Sequence, residues 1–165
     1  WSHDMTDPTY RPARPEDLEP IIAIARRIWT MGMSKRLEDL YGQRGDKSWD
    51  EWTAQDIGNS VRASLDRCIV AEVDGQVAGW VTWSLNEPRQ QGQVGYNGVA
   101  PEFRGRGIAT TLVQMALDKL REAGMPLAIV ITGLDEGHAP ARHVYEKCGF
   151  KPIHQSVTYA LELDQ

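Results

Sequence analysis

Apolar residues return at Leu18, Ile21, Ile22, Ala25, Ile28 and Trp29, the three-and-four spacing that gathers one face of a helix, with Asp17 placed to cap it. Pro20 falls in the first turn, where its missing N–H does little harm. A short extended piece is expected before it, near Tyr10 to Ala13. The next stretch, MSKRLEDLYGQRGDKS, is polar, contains glycines and shows no clear period. At Ser48 a second helix is predicted, because SWDE lets Ser48 and Glu51 satisfy each other's free backbone donors.

The period then shortens to two. CIVAEVDGQVAGWVTW reads as two strands about Asp74-Gly75, a pair that accepts the positive φ angles of a tight hairpin turn. A further strand is predicted over roughly Gln93 to Val99. Behind it Ile108, Leu112, Ala116 and Leu120 line one helix face, and Gly124 and Pro126 end that helix. LAIVIT reads as a buried strand, APARHVYEKC as a short helix, and VTYALEL as an alternating final strand. Helices first, a hairpin, then strand-helix-strand-helix-strand make an α/β (α+β) fold with a mixed sheet flanked by helices.

Composition narrows the class. A chain of 165 residues with 41% hydrophobic and 25% charged residues is of single-domain size and ordinary globular make-up. WSHDM places a plausible natural start at Met5, so residues 1–4 read as a remnant of an added leader and 5–165 as one domain. The net charge of -5 argues against a nucleic-acid partner, since phosphate backbones are bound by an excess of Lys and Arg. No apolar run approaches the roughly 20 residues of a membrane span. Two cysteines, Cys68 and Cys148, and no signal peptide suggest reduced thiols and a cytoplasmic home.

The chemistry concentrates in VAPEFRGRGIATTL, Val99 to Leu112, where arginines and glycines alternate at the start of a helix. Arginine suits an anion and glycine suits close backbone approach, so the stretch points to phosphates. A nucleotide P-loop would need Gly-Lys-Ser/Thr, and no lysine is present here. The triple-glycine dinucleotide pattern begins at Gly105 and Gly107 but meets Thr110 in place of its third glycine. What fits is R-x-x-G-x-A, formed by Arg104, Gly107 and Ala109 directly after Val99-Ala100-Pro101.

This segment resembles the acyl-CoA pyrophosphate loop of the GNAT superfamily of N-acetyltransferases. HAPARHVYEKCGF, His138 to Phe150, resembles the other signature of that family, a short helix carrying a tyrosine and ending in Gly-Phe. The resemblance implies a mostly antiparallel sheet with a splayed strand pair that holds acetyl-CoA, the acyl donor. It places Gly98, Val99, Arg104, Gly105, Arg106, Gly107, Ile108, Ala109, Thr110, His138 and Tyr145 against that cofactor. The Val99 N–H is then the donor to the thioester oxygen as charge develops, and Tyr145 the acid toward the departing thiolate, or else a packed aromatic. His138 stands where many relatives carry asparagine; it is a cofactor contact or a base, since imidazole titrates near neutral pH.

A base is desirable, because an alkyl amine has a pKa of about 10.4. Relatives often carry a carboxylate on the strand before the motif, and QVGYNGV offers none. A relayed water, Glu87, Glu102 or Glu136 remain as candidates, each glutamate also fitting plain surface solvation. Cys148, beside Gly149-Phe150, reads as packing rather than a nucleophile. Trp29, Trp49, Trp52, Trp80 and Trp83 fall where the family walls its acceptor cleft, though most fit a core equally well. No metal-ligating set is read. The expectation is an N-acetyltransferase acting by direct attack of a primary amine, that of a small molecule before that of a peptide or protein. The alternatives are a non-catalytic acyl-CoA-binding module and an unrelated nucleotide-binding domain. A homodimer is the frequent state of relatives.

Overall fold

A computed structural model describes residues 4–163, so part of the proposed leader, residues 1–3, lies outside the described residues. Strand β1 spans Thr9–Pro12, followed by helices α1 (Leu18–Ile28), α2 (Met33–Tyr41) and α3 (Trp49–Ala63). Strands β2 (Cys68–Val73), β3 (Gln76–Asn86) and β4 (Gln91–Val99) lead to helix α4 (Ile108–Glu122). Strand β5 (Leu127–Val130) and helix α5 (Ala139–Lys147) complete the order. The five strands lie in sequence order, antiparallel except that β5 runs parallel to β4.

Helices cover both faces of the sheet. A Cβ built on Gly98 would meet Ile28 of α1 at 2.3 Å, and one built on Gly79 would meet Leu112 of α4 at 3.3 Å. Trp80 pairs with Gly98 and Gly79 with Val99, and successive residues of a strand face opposite ways, so α1 and α4 lie on opposite sides. Being covered twice, the centre of β3 is buried without interruption from Ala78 to Trp83. Against it pack Ile21, Ile24 and Ala25 of α1, and Leu112, Val113 and Ala116 of α4. A third helix joins the first side, as Gly58 of α3 sits against Ile22.

Local signals explain most boundaries. Asp74 and Gly75 have φ of 50° and 78°, the turn expected of Asp-Gly, and Ser48 and Glu51 form the reciprocal cap. At the end of α4 the Met125 N–H reaches the Leu120 carbonyl past Gly124, whose φ of 79° closes the helix. Asp17 behaves differently from the simple cap expected of it. Its buried carboxylate accepts the Arg14 N–H at 2.7 Å and two guanidinium bonds from Arg11 at 2.7 and 2.9 Å.

Three expectations need correction. The polar stretch after Gly32 contains α2, whose Met33, Leu37 and Leu40 share a face yet remain largely exposed. LAIVIT yields only a four-residue strand, and Ile131 beyond it is 75% exposed, because no strand among the described residues pairs with the outer edge of β5. VTYALEL forms no strand among the described residues: residues 151–163 have no regular structure and are exposed, with no sheet edge paired to them.

Candidate active site

Strand β4 outruns its parallel neighbour. Its pairing with β5 covers Gln91 to Val94 and stops, while β4 continues to Val99. At the same point the register with β3 slips: Val81 faces Asn97, but Trp83 faces Val94, so Gly95 and Tyr96 together oppose Thr82. This is a β-bulge, which bends and twists the strand that carries it. Thr82 Oγ1 donates to the Tyr96 carbonyl at 3.1 Å and lies 2.4 Å from where a Cβ on Gly95 would stand. The missing side chain at Gly95 is what lets Thr82 fill the bulge.

The bulge aims backbone groups into the gap between β4 and β5. The Ala100 N–H donates to the Ala78 carbonyl at 2.8 Å, and antiparallel pairs alternate between bonded and non-bonded, so Gly98 is bonded to Trp80 whereas Val99 and Asn97 are not bonded to β3. The N–H groups of Val99 and Asn97 therefore point away from β3, toward the side that β5 has left. Gly98 is engaged on both counts: its polar groups face β3, and Ile28 and Trp80 close over its Cα.

From Val99 the chain makes one short turn and enters α4. Gly105 and Gly107 adopt φ of 77° and 76°, values unfavourable for a side chain, and a Cβ on either would meet nothing within 4 Å. The first helical bond runs from the Thr111 N–H to the Gly107 carbonyl. Among the described residues, no backbone carbonyl outside the helix's own ladder accepts the N–H groups of residues 105–110, and the first turn cannot satisfy them internally. Free N–H groups, the positive end of the helix dipole, open space over two glycines and the exposed Arg104 make a donor set that fits a pyrophosphate. Arg106 divides its guanidinium: Nη2 donates to the Thr6 carbonyl at 2.7 Å, while Nη1 is buried with no hydrogen-bond partner among the described residues.

Helix α5 closes the other side of the gap. Tyr145, 7% exposed, accepts a hydrogen bond on its phenol oxygen from Asn97 Nδ2 at 2.9 Å and meets Phe150 edge-on. Burial raises its pKa above the ordinary tyrosine value, with the Asn97 bond opposing. The phenol is therefore protonated at neutral pH, and its own proton is free to be given. Cys148 packs back on α4 toward the Thr110 carbonyl, its thiol pushed up by burial, and burial pushes the Cys68 thiol up to about 12. Neither is an activated nucleophile.

His138 lies at the start of α5, seven residues before Tyr145, hence on nearly the same helix face. Its Nδ1 contacts both carboxylate oxygens of Asp135, at 2.7 and 2.9 Å. Burial opposes ionisation of Asp135, but His138 and the Gly137 N–H outweigh it and hold the carboxyl below its ordinary range. Arg142 clamps the loop through the carbonyls of Gly133 and Asp135, and Gly137 fits against Met31 of the α1–α2 connection. Sequence reasoning named Glu136 here and passed over Asp135, although D-x-x-H before a helix start was there to be read.

Glu102 is paired with Arg27 at 2.6 Å, which holds its carboxyl below the usual range, and Glu136 is exposed. Glu87 sits in the β3–β4 turn, at the far end of β4 from Val99, about 30 Å along the strand. Of the tryptophans, Trp80 is fully buried and lies tilted against Trp29, ring centres 6.1 Å apart, and Trp29 also meets Tyr96 edge-on. Trp49 and Trp52 instead line a cavity of about 560 Å³ with Glu38, Tyr41, Asp56 and residues 160–163.

The chain is similar to known proteins in sequence and in fold. The model of the acetyltransferase (GNAT) family matches residues 25–150. The chain is 35% identical over 109 residues to an acetyltransferase of Photorhabdus laumondii, covering 66% of this chain and 73% of that one. It is 33% identical over 111 residues to a mycothiol acetyltransferase of Thermomonospora curvata, across 66% of this chain but only 36% of that longer protein. Its fold is that of an aminoglycoside N-acetyltransferase solved with the bisubstrate analogue CoA-S-monomethyl-acetylneamine, with a TM-score of 0.64 at 15% identity over 96% of this chain and all of the other. With the phosphate-fitting helix start, the splayed strand and the family match in agreement, the chain belongs to the acetyltransferase (GNAT) family.

Proposed function

We propose that residues 5–165 form one N-acetyltransferase unit that moves the acetyl group of acetyl-CoA to the primary amine of a small molecule. The observation that carries this reading is the release of β4 from β5 at Val94, which leaves the Val99 N–H facing an open gap just ahead of a helix start with free donors. Arg104 and the N–H groups of residues 105–110 hold the pyrophosphate, and Arg106 adds its unpartnered Nη1. The thioester supplies an activated acyl carbon to the gap.

The amine nitrogen attacks that carbon, a C–N bond forms and the C–S bond breaks. The Val99 N–H meets the oxygen that gains charge in the transition state. The phenol proton of Tyr145 passes to the departing sulfur. A free thiol titrates about 1.5 units below a phenol, so the transfer runs uphill and is completed as the phenolate regains a proton from solvent. The amine's surplus proton leaves toward His138 Nε2, directly or through water, with Asp135 fixing Nδ1 in its protonated form in the way a carboxylate orients a catalytic histidine.

The test is free-thiol release from acetyl-CoA across a panel of small amines and N-terminal peptides, beside calorimetric titration with CoA and with ATP. CoA binding with thiol release on small amines is the expected result. CoA binding without release on any amine would make the chain a non-catalytic module, and no CoA binding would sink both readings.

A further inference from the structure

The gap between β4 and β5 has two mouths. On one face of the sheet lie the free donors at the start of α4 and, packed beside them, α5 with Tyr145. On the other face α1 ends at Trp29, whose ring meets that of Tyr96 with centres 5.7 Å apart. Neighbouring residues of β4 thus serve opposite faces: Asn97 reaches Tyr145 on α5, and Tyr96 turns to α1. With the donor filling the first mouth, the acceptor has the second to come through.

Contacts close a frame around that second mouth. Met31, just past Trp29, lies against Gly137, where an added Cβ would stand 2.7 Å from the Met31 sulfur. Gly137 precedes His138, helix α5 carries the frame on to Tyr145, and Asn97 joins it back to Tyr96. What the frame turns to solvent is aromatic and thioether surface, Tyr96 being 38% and Met31 44% exposed. None of its members is a lysine, arginine, aspartate or glutamate. The carboxylates that adjoin it are engaged or solvated: Asp135 holds His138 Nδ1, Glu102 holds Arg27 ahead of Trp29, and Glu136 is exposed.

The attacking nitrogen belongs at the acyl carbon, beside the Val99 N–H, so what rests against Tyr96 and Trp29 is the body that carries it. Two rings meeting at 74° make an apolar corner, and a planar ring enters such a corner in the edge-to-face and offset arrangements that aromatic groups prefer. A body bearing further ammonium groups would shed water there with no free carboxylate to replace it. We infer, resting on the acetyl-transfer reading for the place of the nitrogen, that the acceptor is an arylalkylamine: a primary amine joined by a short chain to an aromatic ring that seats against Tyr96, Trp29 and Met31.

Calorimetric titration of the full chain with phenylethylamine, butylamine and spermidine, with and without saturating CoA, tests this apart from turnover. Phenylethylamine should bind about tenfold more tightly than butylamine, the worth of one good aromatic contact. Spermidine, with its several ammonium groups, should bind no better than butylamine. Tyr96→Ala should remove the phenylethylamine margin and Tyr96→Phe should keep it, while Met31→Glu, which sets a carboxylate at the rim, should raise the affinity for spermidine. Both side chains are more than a third exposed, so each variant should keep the parent's circular dichroism. Failure of phenylethylamine to bind, equal affinity for the three amines, or a margin that survives Tyr96→Ala in a folded protein would overturn the inference. Phenylethylamine binding without thiol release would leave it standing and sink the transfer; thiol release with spermidine but not with phenylethylamine would do the reverse.

Discussion

Asn97 Nδ2 donates to the phenol oxygen of Tyr145 at 2.9 Å, and the same nitrogen donates to the Gly95 carbonyl at 2.9 Å. One amide therefore ties the bulge in β4 to the phenol on α5, across the gap where the thioester is proposed to lie. Because Asn97 donates, the phenol's own proton points elsewhere. Tyr145→Phe removes that proton and keeps the ring that packs on Phe150. We expect kcat to fall by about 100-fold, the lower end of what a positioned acid contributes, with the Kd for CoA unchanged. Asn97→Ala should lower kcat by a smaller factor, as the phenol stays but loses its tether. Equal rates for Tyr145→Phe and the parent would remove the acid role.

At the helix start the prediction separates charge from backbone. Gly107 has φ 76° with open space around its Cα, so Gly107→Ala meets no neighbour but strains the backbone by about 1 kcal/mol. Gly107→Glu adds a carboxylate where the pyrophosphate is proposed to sit. Calorimetry should show CoA binding weakened modestly by the alanine and abolished by the glutamate. Equal affinity in the two variants would place the phosphates somewhere else.

The Asp135–His138 pair gives a third prediction. His138→Gln keeps a hydrogen-bonding side chain at the start of α5 but cannot take a proton. It should cut kcat by about 100-fold or more if the amine's proton leaves this way, while CoA binding persists. Asp135→Asn should cost a smaller factor, because it leaves the imidazole in place and weakens only its orientation. Thiol-release rates at saturating CoA measure both. A cofactor-contact role for His138 would show instead as a weakened CoA Kd with little change in kcat.

Much of this was legible in the sequence because its causes are local. The Asp-Gly turn, the Ser48–Glu51 box and the glycines at 105 and 107 act through a few neighbouring residues, and R-x-x-G-x-A states its own geometry. What escaped depends on partners far along the chain. Gly95 could be read only as a weak strand residue until Thr82 was seen to fill its place across the β3–β4 pair. Helix α2 hid because its apolar residues bury little. The alternation in VTYALEL predicts a strand and the described residues form none there, because a pattern names a face and not an edge to pair with.

The last prediction concerns stability. Asp17, 3% exposed, accepts both guanidinium bonds from Arg11, and Arg11 also pairs with Glu72 at 2.8 Å, joining β1 and β2 to the turn that starts α1. The Arg11 hydrogen bonds outweigh burial and hold the Asp17 carboxyl below its ordinary value. A carboxyl depressed in the folded state adds stability that is fully present above its unfolded pKa, about 3.9, and is lost as pH falls through its folded value. The parent should therefore lose stability steadily as pH drops below about 4. Asp17→Asn weakens the bonds to Arg11, whose side chain is 22% exposed and keeps Glu72, and should cost about 2 kcal/mol near neutral pH, in the range for hydrogen bonds to a charged group. That loss should shrink in acid, as the carboxyl of the unfolded parent takes up a proton below about pH 3.9. Urea unfolding of both proteins at pH 7 and pH 3 measures the difference; a gap that stays constant between the two would show that the Arg11–Asp17 charge pair does not support the fold.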